Sequence, residues 1–268
     1  MRYVAPARGS VDPGVFERMP LLGWRDYAAW LKGDAWPSIE QLNSSLPSDA
    51  PYRFVAQTPQ LLADRLHYEQ RIAERGDIAT REHNWHDLLN TLIWLRQPSL
   101  KQALNRRQVA EIARMGPKSR SRAQYALTHF DEGGVIVCLR DPALLALWDA
   151  HDWHGLFWQQ RHAWMDGTIQ LELFGHAMLE LALNPDKLLV GKALVYLSPD
   201  ADIVDVSAGC AEAIDSGRLL NDPLELRPLP LAGLPGWRDD NREEAFHRNA
   251  ACYQPKRAGR EYPVASVL

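Results

Sequence analysis

The chain has 268 residues, 46% hydrophobic and 24% charged, with a formal net charge of −4 at pH 7 and three cysteines. That length and apolar content suit one large core with an extension, and the mild acidity argues against a generally nucleic-acid-binding or membrane-attracted surface. Cys138, Cys210 and Cys252 are isolated and odd in number, which indicates neither a disulfide framework nor a thiolate zinc site and fits a reducing compartment. With no apolar run long enough to span a bilayer and no secretory pattern over 1–10, a cytoplasmic location without membrane partners is expected.

Residues 1–66 are punctuated by Pro and Gly and read as an N-terminal helical or irregular segment packed on a main domain. Helical stretches are predicted at 24–31 and 38–46, the second following Pro37 with Ser38 as N-cap. Over 68–81 the pattern is mixed: Tyr68, Gln70 and Ile72 alternate as in a short strand, and Gly76-Asp77 marks a turn. Helices are predicted at 84–96, at 98–115 with Pro98 in its first turn and Gly116-Pro117 at its end, and at 119–129. Gly133-Gly134 then breaks the chain before a buried strand at 135–139.

Asp141-Pro142 opens a helix at 143–150, followed by another at 153–164. A strand at 168–173, a helix at 175–183, a strand at 192–197 and a helix at 202–216 complete a main domain over 67–222. Prolines 223, 228, 230, 235 and 255 with few periodic apolar positions predict an extended tail over 223–268, wrapped on that domain. The fold expected is α+β and helix-rich, with a small mixed sheet and an extended proline-rich C-terminal segment.

The densest chemistry lies in the helix at 84–96. His83, His86, Asp87, Asn90 and Trp94 recur at helical spacing on one stripe, beside an apolar stripe of Trp85, Leu88, Leu89 and Leu92. A helix of that kind sits half buried with its imidazole and carboxylate edge turned to a cleft. His86 is a candidate general acid or base, because an imidazole titrates near working pH, with Asp87 or Glu69 as its orienter and Asn90 or Arg81 as a clamp. The pairs His86 with Asp87, Asp131 with Glu132, and His176 with Glu180 carry the donor types of a divalent metal site. His176 and Glu180 share a helical face, whereas His86 and Asp87 point about 100° apart and do not chelate together.

Tyr68-Glu69-Gln70-Arg71-Ile72, Thr80-Arg81, Asn84-Trp85-His86-Asp87 with Asn90 and Trp94, and Lys101 with Leu104-Asn105 resemble the bacterial family labelled domain of unknown function 3025. Thr128 with Phe130-Asp131-Glu132, Phe174-Gly175-His176-Ala177 with Leu179-Glu180, and Leu229-Pro230 before Pro235-Gly236-Trp237 follow in the same order, so the likeness spans residues about 55 to 255. The resemblance implies membership without an assigned activity. His83 stands outside the pattern, which puts the weight on His86 and Asp87. Arg71, Trp94, Lys101 and Asn105 become candidate substrate-binding residues, and His86, Asp131, Glu132, His176 and Glu180 the candidate metal ligands.

Between Lys101 and Arg122 seven cations stand against Glu111, with a basic turn at Gly116-Pro117-Lys118-Ser119-Arg120, a composition that can hold phosphates. Base-stacking aromatics are not interleaved with these charges, which disfavours nucleic acid. Gly-x-Ser-x-Gly, the P-loop and Gly-x-Gly-x-x-Gly are absent, so covalent acyl transfer and the usual nucleotide cofactors have no signature. The leading expectation is a hydrolase acting on a phosphate-containing small molecule at a His/Asp/Glu cleft, with or without a divalent metal. The alternatives are a non-enzymatic binding or scaffold protein whose polar motif is structural, and a phosphate- or nucleic-acid-binding protein using 101–122. His151, His154, Trp158 and His162 also recur near one helical face, a spacing more typical of a core boundary than of a metal site.

Overall fold

The computed structural model describes residues 3–116 and 119–267. It is an α+β fold rich in helix. In chain order the elements are α1 (Ala28–Lys32), α2 (Ile39–Asn43), β1 (Arg53–Ala56), α3 (Pro59–Leu62), α4 (Tyr68–Arg75), β2 (Asp77–Thr80), α5 (Trp85–Arg96), α6 (Pro98–Met115) and α7 (Arg122–Gly133). There follow β3 (Gly134–Leu139), α8 (Pro142–Ala150), α9 (Arg161–Met165), β4 (Ile169–Leu173), α10 (His176–Leu181), β5 (Val190–Leu197), α11 (Ile203–Asp215), β6 (Arg227–Pro230), α12 (Glu244–Asn249) and β7 (Ser266–Val267).

The main sheet is mixed, in the order β4-β3-β5-β6, with β7 also pairing β5. β3 runs antiparallel to β4 and parallel to β5, and all six of its residues are buried, as a strand covered on both faces must be. β1 and β2 form a separate parallel pair. One continuous apolar core runs from Val11 to Trp237, and within α5 Leu89, Leu92 and Ile93 are wholly buried, each contributing about 1.5–3 kcal/mol.

The helix limits have local causes. Ser38 caps α2 and Ser121 caps α7, each in a reciprocal capping box with a Gln three residues on, and Asp141 and Asp202 cap α8 and α11. α6 starts at Pro98, where a missing N–H costs nothing. Two expectations need correction. Residues 68–75 form the helix α4 and not a strand: Arg71 and Ile72 are its buried positions, and Gly76 ends it in the left-handed region at φ 68°, where a Cβ would lie 2.5 Å from the Pro51 carbonyl oxygen. The proline-rich C-terminal part is not simply extended, because β6 and β7 add to the sheet and α12 interrupts the segment.

The predicted 153–164 helix is split into a π-helical turn at Gly155–Gln159 and α9. The histidines at and before it do not converge: His151, at the end of α8, meets Tyr262, and His154 meets Glu244. Of the basic turn, Pro117 and Lys118 lie outside the described residues. No helix among the described residues is long and apolar enough to cross a membrane.

Candidate active site

The corner between β2 and α5 aims the site. His83 takes a left-handed conformation at φ 57°, which turns the chain from the strand into the helix. Asn84 then caps α5 by accepting from the Asp87 backbone N–H at 3.1 Å. The Asp87 carboxylate accepts from the backbone N–H of Arg81 and from its Nε at 3.0 Å and Nη2 at 2.7 Å. That hydrogen-bonded partnership raises the pKa of Arg81. Asp87 therefore braces the corner, and His86, one residue before it, points elsewhere as the 100° step requires.

His86 Nδ1 lies 2.9 Å from Glu180 Oε2, and its Nε2 lies 3.0 Å from His176 Nε2, with the two rings edge to face at 80°. α10 delivers both His176 and Glu180. It begins at His176 because Gly175 presses on the α7–β3 junction, where a Cβ on Gly175 would sit 2.6 Å from the Glu132 carbonyl oxygen. This close approach brings His176 Nδ1 to 3.7 Å from Asp131 Oδ2, without a well-formed hydrogen bond for that nitrogen.

Lys101, buried on α6, donates to Asp131 Oδ1 at 2.6 Å and to Asn90 Oδ1 at 2.7 Å, and Asn90 Nδ2 donates in turn to the Tyr68 hydroxyl at 3.1 Å. Beside them Asn105 Nδ2 donates to the Glu69 side chain at 2.6 Å and to its backbone carbonyl at 2.9 Å. The run from Glu180 through both imidazoles to Asp131, Lys101, Asn90 and Tyr68 draws on five helices.

Burial and charge set the protonation states. Burial pushes the Glu69 carboxyl up to about 7, against the Asn105 hydrogen bond and with help from the charge of Asp131. Burial likewise drives His176 down to about 3, only partly opposed by Asp131, so its ring is neutral at ordinary pH. Burial works to raise Asp131 as well, but the charge of Lys101, with His176 and the Lys101 hydrogen bond, outweighs it and holds the carboxyl below the usual range. The Tyr68 hydroxyl is pushed upward by burial and by Glu69 and Asp131, so it stays protonated.

These groups face a cavity of about 570 Å³, a size that admits a small ligand. Of the sequence candidates, His86, Asp87, Asn90, Glu69 and Arg81 line it, as do Trp94, Lys101 and Asn105, together with Asp131, Glu132 and His176. Glu180 stands behind His86, outside the wall. Arg71 does not reach the cavity: it is 1% exposed and donates to Asp64 at 2.9 Å, on the far face of α4. Among the described residues no three His, Cys, Asp or Glu side chains group so as to hold a metal ion, and the facing Nε2 atoms of His86 and His176 are turned to each other.

Sequence reasoning placed Arg120 in the basic turn that can hold phosphates, and overlooked Tyr68, Gln108, Gln124 and Thr128 as wall residues. Gln108 and Arg120 both donate to Thr128 Oγ1, at 3.3 and 2.8 Å, and this hydroxyl donates to the Gln124 carbonyl. Tyr68 was within reach: a helix over 68–75 puts it beside Glu69 and one turn from Ile72. The basic stretch 101–122 is largely answered by acids, since Arg106 pairs with Asp215, Arg107 and Arg114 with Glu111, and Arg122 with Asp222.

The family model described as protein of unknown function (DUF3025) matches residues 52–257. The chain belongs to this family. In this DUF3025 protein the matched region holds every residue of the cavity wall and both partners of each hydrogen bond just described. No curated protein and no solved structure matches the chain.

Proposed function

We propose that this DUF3025 protein is an enzyme that moves protons on a small polar substrate, with hydrolysis of a phosphate-containing molecule as its reaction. The observation that supports the reading is the meeting of His86, His176 and Asp131, from three helices distant in sequence, at one solvent-reached hollow that also holds Glu69 and Lys101.

The two imidazoles act as one base. Glu180 accepts from His86 Nδ1–H, which leaves His86 Nε2 to accept from His176 Nε2–H and His176 Nδ1 bare on the Asp131 side. A proton taken from an attacking water by the Asp131 carboxylate, which reaches the cavity, passes to the buried His176 Nδ1 and releases the Nε2 proton to His86, and the imidazolium so formed is held by the Glu180 carboxylate. Glu180 is a positioning residue. Glu69, half protonated near neutrality, supplies a proton to a leaving group, while Arg81 and Arg120 in the wall receive anionic oxygens.

The test is hydrolysis of p-nitrophenyl phosphate and of its bis-ester by the full chain across roughly pH 5 to 9. His86→Gln and His176→Gln are expected to lower turnover about a hundredfold or more, and Glu69→Gln to remove one limb of the pH profile. Rates indifferent to both histidines would overturn the mechanism, and no hydrolysis of either ester would overturn the phosphate assignment.

Binding without turnover is the second reading. It is favoured by the way Lys101 is already tied to both Asn90 and Asp131, as in a polar network that locks a fold.

A further inference from the structure

A second cleft, of about 370 Å³, opens where the C-terminal segment crosses the main sheet, and it differs in chemistry from the first. Its walls are largely apolar: Tyr262 and the 4%-exposed Trp153 line it with Val190, Leu226 and prolines 223, 228, 230 and 255. Its charges are all of one sign. Lys192 on β5 with Arg257 and Arg260 in the C-terminal segment line it, and no Asp or Glu does so among the described residues. Lys192 and Arg257 have no ion-pair or hydrogen-bond partner for their side chains among the described residues, in a protein where most arginines are answered by acids.

The aromatic wall is fixed in advance. The Gln254 carbonyl can only accept, so His151 Nδ1 at 3.2 Å and Trp153 Nε1 at 2.9 Å both donate to it. His151 Nε2 must then accept, and it takes the Tyr262 hydroxyl at 2.7 Å. His151 holds this position as a non-glycine residue at φ 57°. Around the Tyr262 ring stand the guanidiniums of Arg260 at 4.5 Å and Arg227 at 5.0 Å and the ammonium of Lys256 at 5.7 Å, with the His151 ring stacked at 5.9 Å, so the tyrosine is held in place among cations.

We propose that this cleft is a binding site for a small organic anion with a flat aromatic body, an aryl carboxylate. The ring would pack against the prolines, Leu226 and Val190 beside Tyr262, and the carboxylate would meet Lys192 and Arg257. Apolar walls without cations would take a neutral ring, and cations on a polar surface would take a bare anion. The combination selects a molecule that carries both.

Isothermal titration of the full chain with naphthoate, naphthalenemethanol and inorganic phosphate tests this. Naphthoate is expected to bind at one saturable site, and each of the other two about tenfold or more weaker. Lys192→Glu combined with Arg257→Glu should weaken naphthoate about tenfold or more, and Arg106→Glu, remote from the cleft, should leave it unchanged. Should the double variant not fold, Lys192→Gln, an exposed single change, gives the same reading with a smaller loss. Equal affinity for naphthalenemethanol would make the cleft merely apolar, and equal affinity for phosphate would make it a bare anion patch. Either result, absence of naphthoate binding, or undiminished binding by the charge-reversed chain overturns the proposal.

Discussion

The Nε2 atoms of His86 and His176 face each other at 3.0 Å, so one of them carries a hydrogen and the other does not. Glu180 adds a condition on His86, whose Nδ1 must keep its hydrogen to meet a carboxylate. When His86 is neutral, the shared hydrogen belongs to His176 Nε2. When His86 is charged, His176 must bear its hydrogen on Nδ1, toward Asp131.

The tautomer of His176 should therefore report the charge of His86. Nitrogen-15 NMR of the two rings is expected to show His176 as the Nε2–H form where His86 is neutral, with the His176 ring itself neutral until about pH 3. An Nδ1–H form of His176 beside a neutral His86, or a His176 ring that becomes charged near neutrality, would contradict this arrangement.

Glu69 and His176 should shape the pH dependence of stability in opposite senses. Glu69 has a folded pKa raised to about 7, so its contribution is full below its unfolded value and is lost as pH rises through 7. His176 has a folded pKa lowered to about 3, so the folded state loses ground as pH falls from its unfolded value toward 3. Denaturant melts of Glu69→Gln should show a flatter alkaline limb, with a gain over wild type of roughly 1–2 kcal/mol above neutrality.

Lys101→Met leaves Asp131 without its main counter-charge inside the cavity, and a loss of about 3 kcal/mol is expected in urea unfolding. Because Lys101 helps hold the Asp131 pKa down, the wild-type pair stabilises above the unfolded carboxylate value and fades as pH falls below it. The single variant should lack that acid-side loss. Adding Asp131→Asn should restore part of the stability, and a strictly additive double variant would argue against the pair.

Gly175→Ala places a methyl group against the Glu132 carbonyl and should cost about 1–3 kcal/mol by chemical denaturation. The same change should loosen the His176–Asp131 approach and so remove the charge that partly opposes burial, visible as a further fall of the His176 pKa below its already depressed value.

The local rules carried α5 and α6, because Asn84 is an effective cap and Pro98 a helix starter, and both act within a few residues. They misread α4, where Tyr68, Gln70 and Ile72 happen to alternate and the deciding fact, burial of Arg71 against Asp64, comes from a loop before the helix. At the site, donor types and helical spacing put His86, Asp131 and His176 on one list. That Glu180 would turn to His86, 94 residues away, is set by the packing of α10 on α5 and α7, which no spacing rule contains. Arg71 looked like a ligand-binding cation for the same reason: a charge in a motif does not say which side of its helix is covered.

The brace of Asn84, Asp87 and Arg81 at the entrance to α5 has a bearing on how any occupant would be received. Since the strand-to-helix bend is already tied by its own side chains, the imidazole beside it is aimed during folding and not by the visitor. A guest molecule would then forfeit little entropy in organising its host, and tight association would demand correspondingly few contacts.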